Sequence, residues 1–241
     1  MDAPFRSLIV PAYNEAEELP RTLGLLNAHR HQLAVPTELI VVDNNSTDAT
    51  AAVAANHGAH VVFEPVNQIA RARNAGAREA SGENLLFIDA DTRPPLAALQ
   101  AVVRHFQDEP ALLGGGASVE FEGEIDAIAR WGVNRWNGFA RRFSLAAGSF
   151  FWVRRTAFDA VGGFPEARYA GEEIGLADAL KAYGKPRGQR LLVLRETIPT
   201  SPRKLDWYGG WSVSAQMLLL AACPFLLRHK WFCRLWYRRP A

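Results

Sequence analysis

The stretch Asn84-Leu85-Leu86-Phe87-Ile88-Asp89-Ala90-Asp91-Thr92 joins four consecutive apolar residues to two carboxylates. A short apolar run without polar alternation is typical of a strand that is covered on both faces of a parallel sheet. We therefore predict a buried strand over residues 84–88 that ends at Asp89. Ligands of open α/β sheets bind outside the carboxyl ends of the strands, so Asp89 and Asp91 are expected to face a ligand cleft.

Three similar apolar runs precede this stretch, and helical patterns separate them. The predicted strands are residues 7–10, 38–42, 59–63 and 84–88, and the predicted helices are residues 15–30, 47–57, 70–80 and 94–106. Pro11 is expected to end the first strand, because proline lacks the N–H that a central strand needs. This alternation predicts an α/β fold with a mainly parallel central sheet and helices on both faces.

The second half of the chain has a different pattern. Its predicted elements are strands over residues 118–121, 145–153 and 191–194 and helices over residues 125–139, 156–161 and 174–183. Neither an internal repeat nor a low-complexity linker is visible, so we expect one domain over residues 1–205, with halves 1–95 and 96–205. Residues 206–241 are expected to form an aromatic and basic helical tail.

Composition excludes several classes of protein. The formal net charge of +2 is too close to neutral for nucleic-acid binding by bulk electrostatics, so no nucleic-acid partner is expected. Two cysteines, Cys223 and Cys233, are too few for a disulfide scaffold, and a reduced cytoplasmic protein is expected. No signal peptide is visible at residues 1–6. The longest apolar run, residues 217–227, is about half of the ~20 residues that span a membrane.

Polar residues follow the first two predicted strands. Tyr13 could stack on a base and Glu15 could accept a hydrogen bond from a ribose; a turn followed by a first-turn acid is the alternative. Asp43 could accept from a base or a ribose. Ser46 or Thr47 could cap the next helix, whose N-terminus suits a phosphate. The alternative is that these residues cap the helix and have no part in binding a ligand.

Asp89 and Asp91 have the chemistry of a cation site. Mg²⁺ and Mn²⁺ prefer oxygen ligands, commonly one or two carboxylates that substrate phosphates complete. A solvated turn at the strand end is the alternative. The position of this Asp-x-Asp triplet after the fourth predicted strand favours the cation site.

Four segments together resemble inverting glycosyltransferases of family two, which have the Rossmann-like GT-A fold of nucleotide-diphospho-sugar transferases. They are Val10-Pro-Ala-Tyr-Asn-Glu15, Val41-Val-Asp-Asn-Asn-Ser-Thr-Asp48, Ala70-Arg-Ala-Arg-Asn-Ala-Gly76 and Phe87-Ile-Asp-Ala-Asp91. The resemblance implies that residues 1–95 bind a nucleotide and residues 96–205 an acceptor. It implies metal-assisted transfer with inversion from a nucleotide-diphosphate sugar, UDP-linked in most of the family, to an acceptor hydroxyl.

The resemblance also assigns residues to the donor. It implies a nucleotide pocket formed by Pro11, Tyr13, Glu15 and Asp43, with Arg71 and Asn74 near the nucleotide sugar. Asp89 would face the ribose or the sugar, and Asp91 would bind Mn²⁺ or Mg²⁺. Gly148 and Ser149 end a small-residue segment, 146–149, that resembles the one where the donor sugar approaches the backbone.

The general base is expected at Glu172 or Glu173. The turn Gly162-Gly-Phe-Pro165 resembles the family's turn before the catalytic acid, and Glu173 then takes the base position. Glutamate replaces the usual aspartate there and Gly175 replaces a common second acid, which leaves the choice between the two glutamates open. Acids at a helix start are the alternative. A non-catalytic nucleotide-sugar-binding module is the corresponding alternative function.

The end of the chain carries two further predictions. Arg203 or Lys204 could contact the diphosphate, with Ser201 a weaker candidate on the metal side and a polar loop the alternative. Residues 207–239 mix tryptophan and basic residues around a short apolar segment, which favours contact with the inner face of a membrane over a packed subdomain or a homodimer contact. The acceptor is open among lipid-linked, polysaccharide and small-molecule hydroxyls.

Overall fold

Seven strands form one mixed sheet in this computed structural model, which describes residues 6–123, 130–133, 135, 137–138 and 148–237. The strands are β1 Arg6–Ala12, β2 Thr37–Asp43, β3 His60–Phe63, β4 Asn84–Ile88, β5 Leu112–Phe121, β6 Phe150–Arg154 and β7 Arg190–Thr200. Their spatial order is β3-β2-β1-β4-β6-β5-β7. Strands β1 to β4 are parallel, β6 is antiparallel to β4 and β5, and β5 is parallel to β7.

Helices connect and cover these strands. They are α1 Leu19–Arg30, α2 Thr50–Asn56, α3 Ile69–Glu79, α4 Leu96–Asp108, α5 Arg155–Ala160, α6 Glu172–Gly184, α7 Arg203–Tyr208, α8 Gly210–Ala222 and α9 Arg234–Tyr237. Short 3-10 helices span Lys185–Arg187, Pro224–Arg228 and Lys230–Phe232. The predicted helix 125–139 and the start of the predicted strand 145–153 lie largely outside the described residues, although the described residues from 130 to 138 are helical.

Side chains of the sheet alternate between two cores. In β1, Leu8 and Val10 share a core with residues of α1, α2 and α4, whereas Ile9 packs with residues of α3, α5 and α6. Each strand in the middle of the sheet is therefore covered on both faces, which is why its sequence is an unbroken apolar run. The prediction of a mainly parallel sheet with helices on both faces is confirmed.

Helix α3 lies very close to the sheet at Gly76. A Cβ atom at this position would lie 2.4 Å from Ile9 Cγ2 and 2.9 Å from Val42 Cγ2. We expect Gly76→Ala to lower the free energy of unfolding by about 1–3 kcal/mol, because the methyl group overpacks the core and pushes α3 from β1. Urea unfolding measures the effect.

Gly24 of α1 provides the matched control, since no atom would lie within 4 Å of a Cβ atom added there. Gly24→Ala is expected to be neutral or to stabilise by about 0.5–1 kcal/mol through helix propensity. Equal effects of the two substitutions would contradict the close approach of α3.

The first strand continues through Pro11 to Ala12, so the prediction that Pro11 ends it is wrong. Ala12 accepts the N–H of Asn44 on the β2 side over 2.8 Å, and backbone groups alternate in direction along a strand. The nitrogen of Pro11 therefore faces β4, where the pairing has already ended at Ile9 and Phe87. No hydrogen bond of the sheet is lost.

Helix α1 begins at Leu19 and not at the predicted residue 15. The N–H groups of Glu15 and Ala16 bind the side chains of Thr50 and Asp48 across the sheet edge, which holds this segment in a turn. Similarly, β7 extends to Thr200, well beyond the predicted residue 194, because it pairs with β5 along almost its whole length.

The tail is described to residue 237. Helix α7 crosses the predicted boundary between residues 205 and 206. Helix α8 ends at Ala222, and Pro224 begins the next 3-10 helix. Both cysteines are free thiols. Within the described ranges, no helix has both the length and the apolar character that crossing a membrane requires.

Candidate active site

The loops that follow β1 and β2 are joined by reciprocal hydrogen bonds. Asn14 donates its N–H to Ser46 Oγ over 2.9 Å, and its side-chain Oδ1 accepts the N–H of Thr47 over 2.7 Å. Asp43, which is buried, accepts the N–H of Ser46 over 3.0 Å. The two loops are thus one preformed surface at the carboxyl ends of the strands.

The predicted cap of α2 by Ser46 or Thr47 is wrong. Ala49 precedes α2 and no side-chain oxygen caps the helix there. Ser46 is unavailable for that role because its hydroxyl holds the loop after β1, and Asp48 Oδ1 instead accepts the N–H of Thr50 over 2.9 Å.

A cavity of about 90 Å³ lies beside the ends of β1 and β4. Six of the predicted site residues line it, namely Pro11, Tyr13, Glu15, Asp89, Asp91 and Arg203. The remaining predicted residues do not line it, namely Asp43, Ser46, Arg71, Asn74, Gly148, Ser149, Glu172 and Glu173. Side chains of the tail, including Trp207, Leu235 and Trp236, form an aromatic and aliphatic wall.

Arg203 brings positive charge to the carboxylates of this cavity. Its Nη2 lies 2.9 Å from both carboxylate oxygens of Glu15 and 3.6 Å from Asp91 Oδ2. The guanidinium also lies over the ring of Trp207, 4.7 Å from the ring centroid. A guanidinium in this position can bind phosphate oxygens, which is the role predicted for Arg203. The side chain of Lys204 lies outside the described atoms.

Arg73 is a central residue that the sequence analysis missed. It is buried, and its Nη1 donates to Glu172 Oε1 over 2.6 Å. Its Nη2 donates to Asp89 Oδ1 over 2.8 Å and to the carbonyl oxygen of Gly148 over 2.7 Å. One side chain therefore links the end of β4, the segment before β6 and the start of α6.

A signal for Arg73 was present in the sequence. Arg73 and Gly76 are three residues apart and lie on the same face of α3, and a glycine inside a helix indicates a close approach to a neighbour. Arg71, which the resemblance favoured, is 37% exposed in its side chain and pairs with Glu64 and Glu166. Its predicted contact with the donor stays a prediction.

Asn74 holds the turn before α6. Its amide nitrogen donates to the carbonyl oxygen of Phe164 over 2.9 Å, and its Oδ1 accepts the N–H of Phe164 over 2.9 Å. Gly163 has a φ of 75°, and a Cβ atom there would lie 2.7 Å from Asn74 Oδ1. The Gly-Gly-Phe turn is therefore fixed to α3, one residue along from Arg73.

Helix α6 begins at Glu172, two residues before the predicted start, after Gly171 in the left-handed region with a φ of 68°. Glu172 is buried against Arg73, whereas Glu173 is only partly buried. Burial and the negative charge of Glu172 raise the pKa of Glu173 to about 8, and the charge of Arg73 opposes that shift. The two glutamates are therefore not equivalent.

Gly148 and Ser149 lie between Asp89 and the glutamates. A Cβ atom at Gly148 would lie 3.1 Å from Cδ of Glu173, so the carboxyl group rests against this glycine. Ser149 accepts the N–H of Asp89 on its carbonyl oxygen over 3.1 Å. Its buried hydroxyl has no hydrogen-bond partner among the described residues. A buried hydroxyl without a protein partner can bond to a water molecule or to a ligand.

The donor set at the end of β4 suits a hard divalent cation. Asp91 offers carboxylate oxygens to the cavity, while Asp89 is shared with Arg73. Within the described residues, no cluster of three or more histidine, cysteine, aspartate or glutamate side chains could hold a metal on its own. One or two carboxylates completed by phosphate oxygens is the usual coordination of Mg²⁺, so the residues fit a cation that binds together with a diphosphate.

The fold and the polar loops at the carboxyl ends of its strands define an α/β domain of the GT-A type. Residues 7–162 match the family description "Glycosyl transferase family 2", which covers more than half of the chain. The chain belongs to this family, as the resemblance predicted, and so stands among the glycosyltransferases.

Individual proteins agree with this assignment. Validoxylamine A glucosyltransferase from Streptomyces hygroscopicus subsp. jinggangensis is 30% identical in an alignment of 224 residues. The match covers 76% of this chain and 53% of that protein. The matched part covers between 36% and 59% of the curated relatives compared.

Two solved structures share the fold. The mannosyltransferase PcManGT from Pyrobaculum calidifontis, in complex with GDP-Man and Mn²⁺, superposes with a TM-score of 0.65 at 19% identity over 96% of this chain and 70% of that one. Glucosyl-3-phosphoglycerate synthase from Mycobacterium tuberculosis, in complex with Mn²⁺, UDP and glucosyl-3-phosphoglycerate, superposes with a TM-score of 0.63 at 22% identity. The superposition covers 92% of this chain and 80% of that one. At these identities the likeness bears on the fold, and the predicted GT-A fold is confirmed.

Proposed function

We propose that this protein transfers a sugar from a nucleotide-diphosphate sugar to an acceptor hydroxyl, with inversion at the anomeric carbon. One observation carries the proposal: the guanidinium of Arg73 forms hydrogen bonds to both Asp89 and Glu172. Asp89 lines the cavity, and Glu172 is next to the expected base. Groups suited to a diphosphate and a carboxyl suited to a hydroxyl therefore meet at one edge of the sheet.

The donor side of the proposal uses the cavity. Tyr13 offers a ring to the base, Glu15 accepts from the base or the ribose, and Pro11 lines the wall. Asp43 does not line the cavity, and its acceptance from the base or the ribose stays a proposal for the nucleotide beside it. The related folds were solved with GDP-Man or UDP together with Mn²⁺, which supports a nucleotide-sugar donor of this kind. Pockets for small ligands and cofactors commonly measure about 300–1,000 Å³, whereas this cavity measures about 90 Å³, so the wall formed by Leu235 and Trp236 is expected to open when the donor binds.

The acceptor side uses Glu173. In its ionised form Glu173 takes the proton from the acceptor hydroxyl, whose oxygen forms a bond to the anomeric carbon from the face opposite the diphosphate. The bond between that carbon and the diphosphate oxygen breaks, and the nucleoside diphosphate departs with the electron pair. Arg203 is placed to meet the charge on the departing phosphate.

Asp91 is the residue that would hold the cation. Mn²⁺ or Mg²⁺ bound there would supply positive charge beside the leaving diphosphate. Ser149 and Gly148 lie where the sugar ring would approach the backbone, and the free hydroxyl of Ser149 suits a sugar hydroxyl.

The proposal is tested by incubating the protein with Mn²⁺ and a panel of nucleotide sugars and measuring released nucleoside diphosphate. Sugar transfer predicts slow hydrolysis of at least one donor, with faster release when acceptor-rich lysate is added. A donor that binds tightly and is never turned over under either condition would contradict the proposal and favour a nucleotide-sugar-binding module.

The proposal includes contact of the tail with a membrane surface. Three large apolar side chains of the tail are strongly exposed, namely Leu218 at 72%, Phe225 at 64% and Trp231 at 74%. Exposed basic residues Arg228, Lys230 and Arg234 lie among them in the sequence, and residues 207–241 contain no acid. This composition suits an anionic lipid surface.

Replacing Leu218, Phe225 and Trp231 together by serine is expected to weaken binding to phosphatidylglycerol vesicles on the order of tenfold or more, as measured by sedimentation. The control replaces Phe63 and Val66, which are 61% and 43% exposed outside the tail, by serine. If the wild-type protein ignores vesicles and the triple substitution instead dissociates a dimer in ultracentrifugation, the surface joins two copies of the chain.

A further inference from the structure

We infer that Arg73 is a positioning residue, which holds Glu172 and Asp89 in place so that Glu173 is the one glutamate of the pair presented to the acceptor. The inference rests on the proposed function and goes further, because it decides between the two candidate bases and gives a role to a side chain outside the cavity lining. Arg73 itself is not among the residues that line the cavity.

Several contacts fix the guanidinium of Arg73, whose two terminal nitrogens point in different directions like a fork. Its two terminal nitrogens make three hydrogen bonds of 2.6–2.8 Å to Glu172, Asp89 and Gly148, which belong to three separate segments. Its guanidinium lies 5.2 Å from the ring centroid of Phe164, in the turn that Asn74 clamps. A planar guanidinium can satisfy several directions at once, whereas a lysine ammonium offers a single point of charge.

The fork makes the two glutamates chemically different. Glu172 is 3% exposed and its Oε1 accepts a hydrogen bond from Arg73, so its carboxyl group is held away from an acceptor. Glu173 follows it on α6, is partly exposed, and rests its carboxyl group against Gly148. A Cβ atom at position 148 would lie only 3.1 Å from Cδ of Glu173, so the glycine leaves room for the carboxyl group where it now lies.

Charged groups around Glu173 come from several elements. Arg73 acts from α3, Asp89 from the end of β4 and Glu172 from α6 itself. Cys233 and Tyr237 of the tail lie near Glu172, and burial raises the pKa values of both. Burial and the two carboxylates raise the pKa of Glu173, and the charge of Arg73 opposes that shift.

The sign of each substitution follows from these charges. Removing the positive charge of Arg73 raises the pKa of Glu173 further, because an attractive cation is lost. Removing the negative charge of Glu172 lowers it, because like charges no longer oppose ionisation. A side chain that only supported the fold would change the amount of active protein and leave the pH dependence where it was.

The test is the pH profile of nucleoside diphosphate release for wild type, Arg73→Gln, Arg73→Lys and Glu172→Gln, with the donor that wild type turns over best. The midpoint of the activity rise is expected to move to higher pH in Arg73→Gln and to lower pH in Glu172→Gln. Arg73→Lys should keep the wild-type midpoint, because the charge remains, and should lose at least tenfold in kcat, because the fork is gone. Glu172→Gln leaves an oxygen that accepts from Arg73, so it folds even if Arg73→Gln does not.

A second readout does not depend on turnover. The side-chain ¹³C resonance of Glu173, identified by its disappearance in Glu173→Gln, can be titrated by NMR in the same variants. Opposite shifts in Arg73→Gln and Glu172→Gln support the inference, and identical titration in every variant overturns it. Absence of any donor turnover by wild type would remove the proposed function, while the NMR titration would still decide the role of Arg73.

Discussion

Glu173→Gln is expected to lower kcat for sugar transfer about a thousandfold while leaving donor affinity unchanged. A general base in contact with the reacting hydroxyl contributes roughly 10²–10⁴ to the rate. Glutamine keeps the size of the side chain and its place against Gly148, and it cannot accept the proton. Single-turnover kinetics and titration calorimetry with a nucleoside diphosphate separate the two effects.

Two substitutions serve as controls for Glu173→Gln. Glu79→Gln changes an exposed glutamate at the end of α3 and should leave every parameter at its wild-type value. Glu172→Gln changes the neighbouring carboxyl group and should lower kcat much less than Glu173→Gln does, because the carboxyl group of Glu172 is hydrogen-bonded to Arg73. A loss at Glu172 as large as that at Glu173 would contradict the assignment of the base.

Asp91→Asn is expected to remove most of the dependence of donor binding and turnover on Mn²⁺, with kcat/KM lower on the order of a hundredfold. The reason is that a neutral amide is a much poorer ligand for a hard cation than a carboxylate. The measurement is nucleoside diphosphate binding by calorimetry with and without Mn²⁺. Glu15 still pairs with Arg203 in this variant, so the cavity should keep its shape.

Asp178→Asn is the matched control, because Asp178 is 65% exposed on α6. It should bind the nucleotide as wild type does, with the same gain from Mn²⁺. If Asp91→Asn retained the full gain, Asp91 would not be the cation ligand, and the metal-assisted part of the proposal would fail.

The sheet could be predicted from the sequence because its signal is local. Each of the first four strands is an apolar run that ends at a polar loop, and the run 84–88 appears as β4 with the predicted bounds. The family could be recognised for the same reason, since its motifs lie in these loops. Pro11 was misjudged because its effect depends on where the pairing with β4 ends, which no local pattern contains.

The connections within the site were beyond local patterns. Arg73 meets Glu172, 99 residues away in the chain, and Arg203 meets Glu15, 188 residues away. In the motif that contains Arg71 and Arg73, Gly76 indicates which helix face packs closely, but its contacts with Ile9 and Val42 are visible only in the structure. The contribution of Leu235 and Trp236 to the cavity wall depends in the same way on how the tail folds back.

We propose that a nucleotide-diphosphate sugar binds at the ends of β1, β2 and β4 with its diphosphate beside Asp91 and Arg203. The most direct measurement is a crystal structure of the protein with Mn²⁺ and the donor that it turns over. We expect Mn²⁺ bound to Asp91 and the diphosphate, Arg203 turned from Glu15 to the phosphates, and Trp236 moved aside. A nucleotide bound away from this edge of the sheet, or Mn²⁺ without contact to Asp91, would contradict it.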